Sequence, residues 1–187
     1  MARRSAWPPG GAHNQLPRHR VKSTLEYRQL DTKMDWPFFD GSFLHHAADR
    51  AGVRPLTLKA AENFWDTHIS ARGAENHPML LPADHWLCPS VTGPRWDAGF
   101  WNDKEPERAE EGEVANFLKQ GLGIHEEDHV FFIAMRTRIY AVKLSCFLRI
   151  WPCFLAADDE AAFLFHPETG AFAVFGPDGS VKLGRKK

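Results

Sequence analysis

The chain has 187 residues, 43% of them hydrophobic, with seven Trp and fourteen Phe, enough for one domain with a sizeable core. Its net charge of −1 is unevenly spread: residues 1–33 carry seven Arg and Lys against Glu26 and Asp31, a net of +5, which leaves −6 on residues 34–187. An acidic body disfavours nucleic acid as the main partner. Three cysteines offer no paired disulfide framework and point to reduced thiols in a cytoplasmic protein.

Residues 1–33 are rich in Arg, Pro, Gly and Ser and lack apolar periodicity, which predicts a disordered basic extension. The Arg3-Arg4 pair is not followed by an apolar h-region, so a twin-arginine signal is excluded. A transit peptide and a charge-only nucleic-acid tail remain, beside the plainest reading, that Met34 is the start and the tail is translated upstream sequence. The domain then covers residues 34–187, and a chain beginning at Met34 is expected to keep the full chain's melting temperature. DWPFFDGSF (35–43) reads as a lead-in whose aromatics tuck against the core, and the pair His45-His46 has no matching pair at ligand spacing.

LKAAENFWDTHIS (58–70) carries Ala61, Phe64, Trp65 and Ile69 at helical spacing, with Thr57 as N-cap and Gly73 ending the run. His68 beside that face is expected to be partly buried. Residues 74–103 are loop-rich, with four Pro and three Trp, and a short helix is expected around Trp96 to Trp101. Aromatics in such loops line ligand grooves; the alternative is that Trp86, Trp96 and Trp101 plug an open face of the sheet, as large aromatics usually do. An acidic run at 105–113 leads into a helix through residues 114–118, stopped at Gly121; acid at that end complements the helix dipole.

HEEDH (125–129) is a literal H-E-x-x-H, which would place His125 and His129 as zinc ligands and Glu126 as general base on one helical turn. Glu127 and Asp128 between the histidines, glycines before them and a β-rich run after them instead predict a loop feeding a strand. Residues 130–183 then form the densest apolar block. A strand over 130–135, a turn at 136–138 and a strand over 139–144 precede a helix capped by Ser145, with Phe147 and Trp151 on its buried face. Pro152 should kink or end it. Three strands over 161–165, 171–175 and 180–183 follow, separated by PETG and PDG, whose glycines supply positive φ. Residues 139–157 are long enough to span a membrane, but Lys143, Arg149 and Pro152 exclude it. The pattern is α+β: a small antiparallel sheet with several short helices packed on it, in a single domain.

RPLT at 54–57 with Phe64-Trp65, His77-Pro78, Asp84-His85-Trp86, the strand at Val130, FLRIWPCFL at 147–155 followed by Asp158-Asp159, and a last strand ending in LGR occur in this order. In them the chain resembles an uncharacterised family of small proteobacterial proteins, a domain-of-unknown-function family, over about residues 53–183. The tail before Met34 and HEEDH have no counterpart there. The resemblance implies an α+β fold and the bacterial cytosol, and supplies no catalytic residues.

No cofactor is implied. The reading of function is a non-catalytic binding or regulatory module, immunity-like by analogy of fold and charge, taking a protein or small ligand through Trp86, Trp96, Trp101, Asp158 and Asp159. The alternative is a hydrolase, metal-dependent through His125 and His129 or using Asp158, Asp159 and His166.

Overall fold

Val130, Phe132 and Ala134 alternate with Phe131 and Ile133, and both sets are buried, in two separate apolar clusters. A strand repeats every two residues, so this one has a core on each face. The computed structural model describes residues 25–71, 75–87, 95–97, 108–157, 162–176 and 179–186, with side chains for all of these but 42–47, 95–97 and 108–111.

The strands are β1 (Arg54–Pro55), β2 (Arg95–Asp97), β3 (His129–Met135), β4 (Arg138–Lys143), β5 (Ala162–Phe165), β6 (Ala171–Phe175) and β7 (Ser180–Arg185). They form one sheet in the order β1-β4-β3-β5-β6-β7-β2, antiparallel throughout. Arg136 and Thr137 turn β3 into β4, and Gly170 (φ 71°) and Gly179 (φ 77°) supply the left-handed positions of the two later turns, as expected. On one face lie the helices α2 (Arg108–Leu122) and α3 (Leu144–Leu155); on the other lies α1 (Leu58–His68), with Trp65 fully buried under it. Thr57 caps α1 by accepting from Ala60 N at 3.3 Å.

Four local expectations are corrected. Arg95, Trp96 and Asp97 are a strand, not the start of a helix, because their backbone pairs with Lys182, Val181 and Ser180; residues 98–101 lie outside the described residues. Gly121 does not stop α2: it is inside the helix, where a side chain would collide with Leu183, and the left-handed residue is Gly123 (φ 59°). Ser145 does not cap α3. The first amides of that helix go instead to the HEEDH turn, Leu144 N to Asp128 O at 2.9 Å and Ser145 N to Glu126 O at 2.8 Å. Pro152, as expected, kinks α3, with Ile150 pushed to φ −127° and ψ 17° two residues ahead.

The fourth correction moves the domain boundary. Residues 25–33, expected to be disordered, form a strap along β1, an edge strand of the sheet. Tyr27 bridges Leu56, Arg28 N donates to Pro55 O at 2.9 Å, and Thr57 N donates to Glu26 O at 3.0 Å. Leu25 and Tyr27 pack on one core and Leu30 on the other, so the strap wraps the sheet edge. The Arg54 guanidinium lies 3.7 Å over the Tyr27 ring. A chain beginning at Met34 loses these contacts and the Arg28 partner of a buried carboxylate. Its melting temperature should fall by about 10 °C, since breaking a buried ion pair costs about 3–5 kcal/mol. An unchanged melting temperature in calorimetry would contradict the strap's role.

Candidate functional site

Of the residues singled out from the sequence, Trp86, His125, His129 and His166 are described with their side chains. Trp86 is half-buried on the α1 face: its Nε1–H donates to Ile69 O at 3.0 Å, and its ring packs against Phe165 (6.0 Å) and edge-on to Phe172 (5.6 Å). The same carbonyl faces His85 Nε2 at 2.9 Å, while Leu87 N donates to His85 Nδ1 at 3.3 Å; the two bonds together place the proton on Nε2. Lys186 lies 4.6 Å over the Trp86 ring and donates to His68 O at 2.6 Å. Trp86, His85 and Lys186 thus satisfy the carbonyls that end α1, where positive charge is also favoured by the helix dipole. Trp86 packs on the sheet face. Trp96 is placed by its backbone alone in β2, and Trp101, Asp158 and Asp159 lie outside the described residues.

HEEDH is a turn running into β3. His125 N donates to the Asp128 carboxylate, Asp128 N donates back to His125 O, both at 3.0 Å, and His129 opens the strand. Lys119 and Lys143 pair with Glu126 and Glu127. The single helical turn on which the zinc motif depends is therefore absent at these residues, and their carbonyls cap α3. His166 sits in the β5–β6 turn, its Nδ1 2.9 Å from the Thr169 hydroxyl. The Cys146 thiol, pushed up to about 11 by burial and by Asp49, stays protonated at neutral pH. Among the described residues no group of three or more His, Cys, Asp or Glu is placed to hold a metal ion, and no helix is long and apolar enough to cross a membrane.

The arrangement that sequence reasoning missed lies in residues 28–39. The Asp35 carboxylate is 0% exposed and accepts four hydrogen bonds: from Arg28 Nη1 (2.6 Å) and Nη2 (2.9 Å), Asp31 N (2.8 Å) and the Tyr140 hydroxyl (2.8 Å). Burial alone would raise its pKa, but these donors outweigh burial and hold it below the usual carboxylate range. Burial and the Asp35 charge push the Tyr140 phenol up, so it remains a donor. Asp31 in turn accepts from Lys33 N and Met34 N, which tightens the preceding turn. Three residues on, Phe38 is buried edge-on against Phe154 at 4.9 Å. With Asp35 and Phe38 pointing in, Met34 (53% exposed), Trp36 (49%) and Phe39 (37%) point out. The lead-in aromatics therefore divide: Phe38 tucks in as expected, and Trp36 and Phe39 do not. Arg50 covers part of the Phe39 ring at 4.9 Å. The result is an apolar ridge held by a buried, fully satisfied clamp. An acid inside an apolar run, with Arg28 seven residues before it, was the available sequence signal.

A family model described as "Protein of unknown function (DUF2947)" matches residues 27–184, starting within the strap seven residues ahead of Met34. No curated protein and no solved structure matches the chain. The match takes in the clamp and the whole sheet but for the last residue of β7, and the chain belongs to the DUF2947 family.

Proposed function

We propose that this protein is a non-catalytic binding module of the bacterial cytosol that recognises a partner protein through Met34, Trp36 and Phe39. The observation that carries the reading is the half-exposed Trp36 beside the fully buried Asp35: a large aromatic ring on a backbone that binding need not order. Rigid presentation lowers the entropic cost of association, and Trp is the residue most enriched at binding hot spots. Several described groups with catalytic chemistry are occupied otherwise: Asp35 in the clamp, His85 and His166 in local hydrogen bonds, the Cys146 thiol protonated, and HEEDH in a cap. The free, buried thiols of Cys146 and Cys153 suit a reducing compartment.

The test is affinity capture from the native cell with the wild-type chain and with Trp36→Ala, followed by calorimetry on any captured protein. Trp36→Ala should keep its melting temperature within a few degrees and lose at least about 2 kcal/mol of binding. Equal binding by both chains would remove the ridge from the interface.

A further inference from the structure

We propose that a second site, the groove between α1 and the strap, binds an extended peptide segment carrying an apolar side chain. The groove measures ≈ 390 Å³, within the range of about 300–1,000 Å³ typical of ligand pockets. Two rows of α1 residues at four-residue spacing line it, Lys59, Asn63 and Thr67 beside Ala60, Phe64 and His68, and Leu25 with Glu26 form the opposite wall. Ala60, Phe64 and Leu25 are its apolar lining.

The polar groups choose the occupant. Thr67 Oγ1 is engaged with Asn63 O, and Asp66 with Arg136. The Asn63 carboxamide and the His68 ring nitrogens have no hydrogen-bond partner among the described residues. Burial and then Lys186 hold His68 below its usual pKa, so its ring is neutral at pH 7. Each group therefore offers one acceptor beside its donors and carries no charge, while Lys59 and Glu26, which also line the groove, bring one charge of each sign. Alternating N–H and C=O groups of an extended backbone match Asn63 and His68 better than an ion does. From Lys59 to His68 the helix rises about 13 Å, the length of roughly four extended residues. The groove lies on the α1 face, whereas the ridge is anchored through Phe38 on the other core, so the two sites stand independently.

The experiment is titration of the whole ¹⁵N-labelled chain with N-acetyl-Ala-Leu-Ala-amide, followed by NMR. Saturable shifts are expected at residues 25–26 and 59–68. Asn63→Ala and His68→Phe, the latter keeping a ring against Phe64 and Phe165, should each weaken binding about fivefold, as loss of one hydrogen bond does, without changing the melting temperature. Three results would each overturn the proposal: no saturation at tens of millimolar peptide, wild-type affinity in both variants, or equal affinity for 3-methyl-1-butanol, which lacks a peptide backbone.

Discussion

Trp151→Ala is expected to remove about 3–5 kcal/mol of stability through lost burial and the cavity left behind. Trp151 is 1% exposed, on the kinked second half of α3, in the same core as Phe132, Phe147 and Phe154. That core is tightly ringed: Phe154 lies 5.1 Å from Phe147, 5.2 Å from Phe132 and 4.9 Å from Phe38, so its neighbours have little room to collapse into the gap. The loss is a large share of the roughly 5–15 kcal/mol that holds a typical domain together. Urea denaturation should show a sharply lowered midpoint or an insoluble protein, while Trp151→Phe should be far milder. Near-normal stability of Trp151→Ala would contradict the packing of α3 on the sheet.

Asp35→Ala should cost about as much, roughly 3–5 kcal/mol, because it strands the partners of a buried charge. The Arg28 guanidinium, the Tyr140 hydroxyl and Asp31 N would all lose their shared acceptor. Tyr140→Phe removes only one of the four bonds and should cost about 1–2 kcal/mol. The clamp also sets an acid limit. A carboxyl whose pKa is lowered on folding stabilises the fold above its unfolded pKa, about 3.9, and that contribution is lost as pH falls through the lower folded value. The wild-type chain should therefore lose stability steeply below about pH 4, and Asp35→Asn should show a shallower acid slope. Parallel slopes for the two chains would show that Asp35 is not the linked group.

The sheet was legible because its signals are local. Residues 130–134 alternate between two faces, Gly170 and Gly179 mark turns that need positive φ, and Pro152 distorts the helix it occupies. What escaped depends on partners distant in the chain. The cap of α3 is a pair of carbonyls from a loop, so no residue type announces it. Gly121 looks like a helix stop until Leu183, 62 residues on, is seen against it. The strap was hidden by averaging: residues 25–33 share the basic composition of the tail, yet their order rests on Pro55 and on Tyr140, 105 residues beyond Asp35. The ridge was missed for a related reason. An apolar run such as WPFF does not say which of its members face inward, and only the buried Asp35 settles the phase.

The ridge as a recognition surface is tested most directly by photo-crosslinking in the native cell, with benzoylphenylalanine at position 36 and, as control, at the exposed position 120. One discrete crosslinked partner from position 36, absent from position 120, is the result this account predicts. No crosslink at position 36, or the same products from both positions, would contradict it.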